Sequence, residues 1–487
     1  MGNRTFWIAG AALATLAALA GVALPSTAYA NAYIGVVALL AVSLVGVVGL
    51  VVQMEAPLLG YALLVVMGVF YPLEFRAPGL GVSVGAAFPL AALLCGVWLL
   101  HFAFVSRIPL DRSRLVASSL VFVGLTMVSF LAGQLPWFDS GGAPVPAQIA
   151  ELALFLVSVL LFLAVGHQLT SLRDLKWLTW LLIVTGMAAA VIQSVPSLES
   201  FGRMTTHQGS VGSLFWTWLA AVSFAQALYN RGLPWKVRGF ALSVTALVFF
   251  HGLYQARDWA SGWLPPLIAV GVIALLRFPR TTAAAVVVGG PAVLLLGRAL
   301  VGDIETDEQY SMSTRWGALL TLWNLVKRSP ILGTGLANYY YFAENLPIMG
   351  WYVRFISHNN YQDLLVQTGL LGLLAFCWFA FEAIWLTLYV YRKAPAGFPK
   401  AYAVAVLGGI AGSLASGMLG DWVIPFYYNA GILGFRSSLL FWVFAGGILT
   451  IKRQIESEAW VGAERLRATP AAPRRLGVQP AASSIAS

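Results

Sequence analysis

The stretch Phe355-Ile356-Ser357-His358-Asn359-Asn360-Tyr361-Gln362-Asp363 leads directly into an apolar run that ends near Tyr391. That run is longer than the ~20 residues that a helix needs to cross a bilayer. Asn360 is a suitable N-cap for the helix, and Asp363, three positions later, gives a pattern similar to a capping box. His358 would then lie just before a helix N-terminus, where free N–H groups and the helix dipole favour an anion. Gly369 and Gly372 would share one face of this helix and would let another helix approach closely.

The composition excludes a soluble domain. Of 487 residues, 59% are hydrophobic and only 10% are charged, which is typical of a polytopic α-helical membrane protein. The apolar runs are continuous and far longer than the alternating strands of a barrel. The two cysteines, Cys95 and Cys377, both lie inside apolar runs, so we expect neither a disulfide framework nor a cysteine metal site. The net charge of +10 is explained by membrane orientation, and no nucleic-acid partner is expected.

The predicted fold class is an all-α transmembrane bundle of about 14 helices. The apolar spans lie at roughly 6–24, 32–53, 57–72, 83–105, 115–133, 148–166, 177–193, 211–229, 239–254, 262–276, 281–300, 363–390, 401–419 and 431–450. Ala28-Tyr29-Ala30 resembles a signal-peptide cleavage site, and cleavage would leave 13 helices. An uncleaved first helix is the preferred interpretation. Residues 1–452 form the predicted transmembrane domain, and 453–487, rich in Ala, Pro, Arg and Ser, form a predicted disordered tail.

Positive charge alternates between the loops. One set of loops, together with Arg4 and the tail, holds 20 of the 29 Lys and Arg residues. The positive-inside rule makes that side cytoplasmic. Both termini are then cytoplasmic, and the large loop 301–362 is external. Within this loop, Ser313 to Arg328 is predicted to form an amphipathic helix at the membrane interface, with Trp316, Leu319, Leu320 and Trp323 on one face.

Nine basic residues fall on the external side, and eight of them are arginine, the side chain suited to bidentate phosphate binding. They are Arg76, Arg203, Arg257, Arg298, Arg315, Lys327, Arg328, Arg354 and Arg436. Snorkelling or local ion pairs account for some of them, such as Lys327 and Arg328 at a helix C-terminus. Arg203, Arg257 and Arg315 lie just before or inside predicted helices and are the candidates for a phosphate-binding cluster.

Among the five histidines, His358 alone lies in a polar cluster at a helix start. No His or carboxylate cluster has metal-ligand spacing, and no nucleotide-binding fingerprint is present. We therefore expect a mechanism without metal or cofactor. A histidine beside an anion pocket at a membrane surface suggests chemistry on a lipid-linked phosphate, with an activated lipid-linked donor in place of a cytosolic nucleotide.

These residues resemble the O-antigen ligase and polymerase superfamily of bacterial membrane glycosyltransferases over roughly residues 195–450. His358-Asn359, followed after nine residues by Gly369 and Gly372, matches the family's His-Asn motif with its Gly-x-x-Gly. Arg315-Trp316 and the segment Pro330–Gly335 resemble the family's Arg-Trp helix and Pro-x-x-Gly-x-Gly turn. Arg203 and Arg257 resemble two further arginine segments. There the chain departs from the pattern, with Gln208-Gly209-Ser210 in place of Asn-Pro-Asn and Ala256-Arg257-Asp258 in place of Ser-Arg-Gly.

The resemblance implies metal-independent, inverting transfer of an undecaprenyl-pyrophosphate-linked glycan to an acceptor hydroxyl on the outer face of the cytoplasmic membrane. His358 would be the catalytic base, and Arg203, Arg315, Arg257 and Asn359 would bind substrate. Ligase, polymerase and protein O-glycosylation remain alternatives for the acceptor, with a slight preference for polymerase or exopolysaccharide assembly. The alternative function is a flippase or transporter of lipid-linked oligosaccharide that breaks no bond. Such a carrier would place charged residues at the bilayer midplane on broken helices.

Overall fold

Long apolar segments separated by short polar loops produce helices that pack side by side. The computed structural model describes residues 56–70, 74–76, 83–105, 110–137, 141–198, 200–202, 212–285, 287, 305–348 and 350–468. The helices, numbered in chain order, are α1 (Pro57–Phe70), α2 (Ala87–Phe104), α3 (Arg114–Ala132), α4 (Val145–Gln168), α5 (Leu172–Ser194), α6 (Ser213–Tyr229), α7 (Trp235–Phe250), α8 (Ala260–Arg277), α9 (Glu305–Arg328), α10 (Tyr339–Phe342), α11 (Asn360–Lys393), α12 (Phe398–Leu419) and α13 (Gly431–Ala468). A π-helical turn, His251–Gln255, continues α7.

The predicted all-α membrane bundle is confirmed. In the described part of the chain, nine helices are long and apolar enough to cross a membrane, namely α2 to α5, α7, α8 and α11 to α13. The predicted spans 6–24 and 32–53, and most of 281–300, lie outside the described residues. One small addition was not predicted, a two-stranded antiparallel hairpin of β1 (Glu74–Arg76) and β2 (Ser83–Gly85).

Small residues permit the closest helix crossings. A Cβ added at Gly446 in α13 would lie 2.5 Å from the carbonyl oxygen of Phe162 in α4. A Cβ added at Gly408 in α12 would lie 2.7 Å from the carbonyl oxygen of Ala269 in α8. Because lipid tails are as apolar as the side chains, such backbone approach is a main source of helix association in membranes. These contacts place α12 and α13 at the centre of the bundle, and α13 is the most buried of the membrane helices described.

Contacts between basic loops mark one end of the bundle. The Lys452 ammonium lies 2.8 Å from the Asp111 carboxylate, and Arg453 donates to the carbonyl of Gly166. Lys176 lies over the ring of Phe398, and Arg277 lies over the ring of Tyr229. The loops that carry most of the positive charge therefore meet at the same end, as their alternation along the sequence predicts.

Helix α13 continues past residue 452, where the sequence analysis placed the start of a disordered tail. It ends at Ala468, and its residues Arg453 and Gln454 are bonded to the end of α4 and to the loop after it. These hydrogen bonds hold the helix beyond its apolar span. The sequence analysis placed the end of the helix too early because it relied on apolar length alone. Residues 469–487 lie outside the described residues.

Helix α9 is longer than predicted, because it begins at Glu305 rather than Ser313, and it ends at Arg328 as expected from Pro330. Its buried face consists of Leu322, Leu325 and Val326, which pack under Tyr339 and Phe426. Leu320 and Trp323 of the predicted apolar face are about half exposed. Helix α9 therefore packs one apolar face on the protein and presents the other outward, an arrangement suited to the membrane interface.

Candidate active site

His358 is an exposed residue in the left-handed backbone region, with φ 51°. A non-glycine residue there is uncommon and marks a position that its surroundings hold in place. The residue that caps α11 is Asn359, whose side-chain oxygen accepts from the backbone N–H groups of Tyr361 and Gln362 at 2.9 and 3.2 Å. The prediction that Asn360 is the N-cap was therefore wrong. The cap also occupies two of the N–H groups on which the predicted anion site depended.

The side chain of Asn360 is instead buried against the segment between α12 and α13. Its Nδ2 donates to the carbonyl of Ile424 at 2.6 Å, and its Oδ1 accepts from the N–H of Val423 at 2.8 Å. We call residues 420–430 the outer loop. Because the side chain of Asn360 makes both of these bonds, the neighbouring Asn359 caps the helix. The same bonds hold His358 at the edge of the outer loop.

Asp363 does not close a capping box. Its carboxylate is buried and accepts from the hydroxyl groups of Ser357 and Tyr339, both at 2.6 Å. Burial raises the pKa of Tyr339, and the nearby Asp363 carboxylate raises it further. Tyr339 therefore stays a donor to Asp363. These bonds fix the backbone on the N-terminal side of His358, since Ser357 and His358 are adjacent.

Helix α11 is broken at Gly369, which has φ 65° and ψ −170°. The carbonyls of Val366 and Gln367 accept from the N–H groups of Thr334 and Gly335, at 2.8 and 3.1 Å. The predicted close approach at Gly369 is present, but its partner is the turn at Pro330–Gly335 rather than another helix. The Gly-x-x-Gly motif thus joins the histidine-bearing helix to the segment that precedes it.

Gly372 has a different role from the one predicted. A Cβ added there would lie 2.0 Å from Oγ1 of Thr368 in its own helix. Thr368 donates that hydroxyl to the carbonyl of Leu364 at 2.7 Å. Gly372 therefore leaves room for a side chain of the preceding turn at the helix break, and it does not share a helix-packing face with Gly369.

The outer loop supplies two residues that the sequence analysis missed, Asp421 and Asn429. The buried Asp421 carboxylate accepts from the N–H of Phe426 at 2.7 Å and from the side-chain amide of Asn429. The same Asn429 Nδ2 lies 3.4 Å from Nδ1 of His358. The available signal was that Asp421 is the only acidic residue between the last two predicted spans.

Burial raises the pKa of Asp421. Hydrogen bonds from the Phe426 N–H and the Asn429 amide, and the charge of His358, oppose that rise without cancelling it. Asp421 therefore holds its proton to a higher pH than an ordinary aspartate while it is in electrostatic contact with the candidate base.

The outer loop also contacts the segments that carry two of the predicted arginines. Arg203 and the residues after it lie outside the described residues, but Gly212, the next described residue, packs on Trp422. A Cβ at Gly212 would lie 2.4 Å from the Trp422 ring. On the other side, the ring of Trp259 lies 6.0 Å from that of Trp422, and Trp259 follows Arg257 by two residues.

Of the three predicted arginines, only Arg257 has a side chain within the described residues. Arg257 is exposed, and its Nε lies 3.6 Å from Asp258, a weak surface pair that leaves the guanidinium accessible. Helix α8, which begins three residues after Arg257, is tied by Ser261 to the carbonyl of Leu419. Leu419 is next to Met418, whose carbonyl accepts from Asn359. The Arg257 and His358 segments therefore meet at the end of α12. Arg315 lies within α9, and its side chain is outside the described residues.

Other external basic residues have structural partners. Arg436 is buried and donates to the carbonyls of Gly68 and Val69 at 3.2 and 3.3 Å, which caps the C-terminus of α1. Arg354 bonds Glu344 at 2.8 Å and covers the ring of Tyr341. These two arginines therefore do not belong to the predicted phosphate cluster.

The family model described as O-antigen ligase matches residues 219–377. Over that part of the chain, the sequence is similar to the O-antigen ligase family. The matched region contains Arg257, Arg315, His358 and both motif glycines, so it confirms the resemblance seen in the sequence. It indicates a bacterial multi-pass membrane glycosyltransferase of the O-antigen ligase type, acting in O-antigen or polysaccharide biosynthesis. No curated protein matches the chain. The outer loop lies beyond the match and is joined to the matched region through Asn360 and His358.

Proposed function

We propose that this protein transfers a glycan from undecaprenyl pyrophosphate to an acceptor hydroxyl on the outer face of the cytoplasmic membrane, with inversion and without a metal. The acceptor oxygen attacks the anomeric carbon while the bond from that carbon to the pyrophosphate oxygen breaks. Undecaprenyl pyrophosphate leaves, and the proton of the hydroxyl passes to His358. The observation that carries this proposal is an exposed, conformationally restrained histidine inside the region similar to the O-antigen ligase family.

The arginines would hold the leaving group. Charge grows on the pyrophosphate oxygens as the glycosidic bond breaks, and guanidinium groups directed at those oxygens would stabilise the transition state more than the ground state. We assign this role to Arg203, Arg315 and Arg257. The exposed guanidinium of Arg257 beside the end of α12 supports its inclusion. Asn359, with its oxygen used in the cap, has one amide hydrogen left for substrate.

The sidedness of the site follows from the positive-inside rule. His358, the outer loop and the turn at Pro330–Gly335 lie at the end of the bundle opposite the Lys452–Asp111 pair. If the basic end is cytoplasmic, both termini are cytoplasmic and the site is external, where lipid-linked glycans are available.

A transporter without bond cleavage is the alternative, and the break in α11 is the observation that favours it, because carriers bind substrates at broken helices. In this protein, however, the turn at Pro330–Gly335 occupies the backbone groups at the break. The N–H groups of Leu370 and Leu371 donate to the carbonyls of Pro330 and Ile331, at 2.8 and 3.2 Å. These groups are therefore not available to an ion or substrate, which supports the transferase.

The acceptor remains open between lipid A-core, another glycan repeat and a protein hydroxyl, and we retain a slight preference for polymerase or exopolysaccharide assembly. Deleting the gene distinguishes the first two. Single unpolymerised repeats would indicate a polymerase, and long chains left on the carrier lipid would indicate a ligase.

The test of the proposed reaction uses purified protein in proteoliposomes with lipid-linked glycan and acceptor. We expect release of free polyprenyl pyrophosphate together with a glycosylated acceptor, in the presence of a chelator. His358→Asn should abolish both products, whereas His101→Asn, at the opposite end of the bundle, should not. Movement of intact lipid-linked glycan across the membrane without release of polyprenyl pyrophosphate would overturn the proposal.

A further inference from the structure

The side chain of Asn429 bridges a buried carboxylate and the candidate base. Its Nδ2 donates to Oδ1 of Asp421 and lies 3.4 Å from Nδ1 of His358. The backbone N–H of Asn429 donates to the carbonyl of Phe426 at 3.0 Å, so the residue is fixed at the end of the outer loop. Asn429 itself is exposed, and its 71-residue separation from His358 makes this a tertiary contact.

In the amide orientation that the structure shows, this contact favours one tautomer of a neutral His358. An amide NH₂ group can only donate, so the His358 Nδ1 that faces it must be an acceptor. The neutral imidazole then carries its hydrogen on Nε2. In that tautomer, Nε2 is a donor and cannot take a proton from an acceptor hydroxyl. The base-competent tautomer needs a hydrogen on Nδ1 and an acceptor atom opposite it.

Asn429 supplies that acceptor if its amide turns by 180°, because amide oxygen and nitrogen occupy nearly the same space. Oδ1 would then face both Nδ1–H of His358 and Oδ1 of Asp421. Two facing oxygens are compatible only if the carboxyl group is protonated and donates. The orientation of the amide is therefore set by the protonation state of Asp421.

The surroundings of Asp421 favour a proton at this position. Its carboxylate is almost fully buried and interacts electrostatically with Asp363 and Glu151, two further buried carboxylates, and with Tyr339. The charge of a protonated His358 would act against them. Three buried carboxylates near one another disfavour full ionisation.

We propose that Asn429 is a positioning residue that couples the protonation state of Asp421 to the tautomer of His358. An ionised Asp421 holds the amide hydrogens inward and keeps the proton of His358 on Nε2. A protonated Asp421 turns the amide and moves the proton to Nδ1, which frees Nε2. The coupling is a property of the free protein, and its importance for turnover rests on the proposed function.

Asp421→Asn gives a sharp test, because the Phe426 N–H requires an acceptor at the position of Oδ2. The oxygen of the new asparagine must take that position, so its NH₂ faces Asn429 and imitates a protonated Asp421. Solid-state NMR of protein labelled with ¹⁵N and ¹³C in histidine, in lipid bilayers, reports each tautomer. The signals of His358 are assigned by their loss in His358→Asn.

We expect the Nε2–H tautomer in the native protein above the pKa of Asp421 and the Nδ1–H tautomer in Asp421→Asn. In an Asn429→Ala background, Asp421→Asn should no longer change the tautomer. Asn429→Ala alters an exposed residue and is expected to fold normally. The same tautomer in the native protein and Asp421→Asn, or a change that persists without Asn429, would overturn the proposal.

Turnover provides a separate measurement. Above the pKa of Asp421, activity of the native protein should fall by up to about tenfold per pH unit, because the base-competent fraction falls. Asp421→Asn should lack this alkaline fall. A tautomer change by NMR with an unchanged pH profile would support the coupling and contradict the base role of His358, so the two proposals fail separately.

Discussion

Gly369 and Gly333 lie backbone to backbone. A Cβ added at Gly369 would be 2.5 Å from the nitrogen of Gly333, and a Cβ added at Gly333 would be 2.6 Å from the nitrogen of Gly369. Both residues have positive φ, 65° and 73°. Only glycine combines this conformation with this distance at low energy, so the pair holds the break in α11 against the turn at Pro330–Gly335.

Gly369→Ala should therefore destabilise the protein by at least about 2 kcal/mol, since it adds backbone strain and a clash with Ile331. Thermal unfolding in detergent measures the effect. The control is Gly124→Ala in α3, where a Cβ meets nothing within 4 Å, and we expect it to be neutral or slightly stabilising. Equal unfolding temperatures for the two variants would contradict the role of the glycine pair.

His358→Asn should lower turnover by about 10²–10⁴-fold with little change in donor affinity, because it removes a general base and leaves a hydrogen-bonding side chain of similar position. Turnover is measured as release of polyprenyl pyrophosphate, and affinity as binding of lipid-linked glycan. If His358 only restrained the backbone, much of the activity would remain in this variant.

Arg315→Lys should lower both donor binding and turnover, because lysine keeps the charge and loses the planar fork that binds pyrophosphate in a bidentate manner. Arg203→Lys should behave in the same way, and the double variant should be non-additive if both arginines hold one pyrophosphate. Arg328→Lys, at the other end of α9, is the matched control and should be tolerated. Normal kinetics in Arg315→Lys would indicate a snorkelling arginine.

Asp111→Asn should destabilise the protein by about 1–3 kcal/mol, because it removes the charge-assisted bond to Lys452. Burial alone would raise the pKa of Asp111, but hydrogen bonds from Lys452 and Ser113 outweigh it and lower that pKa below its ordinary value of 3.8. The stabilisation is therefore fully present above about pH 4 and is lost as the pH falls through the pKa of the folded state.

The free energy of unfolding, measured between pH 3 and pH 7, tests whether stability falls toward low pH. The native protein should lose stability toward pH 3, and Asp111→Asn should show a smaller loss. Glu456→Gln is the matched control. Glu456 lies 3.3 Å from the same Lys452 but is far more exposed, so its replacement should have a smaller effect. A larger effect for Glu456→Gln than for Asp111→Asn would contradict the assignment.

The membrane helices could be predicted from the sequence because their signal is local. Nine of the described spans are apolar runs of sufficient length, and the loop charges alternate with the predicted spans. The motif from His358 to Gly372 was likewise visible, because its spacing is written along one segment. The pattern could not show that α11 breaks at Gly369, since the break depends on backbone bonds to Thr334 and Gly335.

The sequence by itself determined the class of protein, the positions of the described spans and the candidate base His358. Only the tertiary structure decided the surroundings of that base. Asn359 caps α11 because the side chain of Asn360 is bonded to the outer loop. Asn429 contacts His358, and Asp421 accepts from Asn429, although both residues are more than 60 positions from His358 in the sequence. The physical reason is that the length of an apolar run depends only on consecutive residues. Buried polar groups, in contrast, find their hydrogen-bond partners only when distant segments pack together.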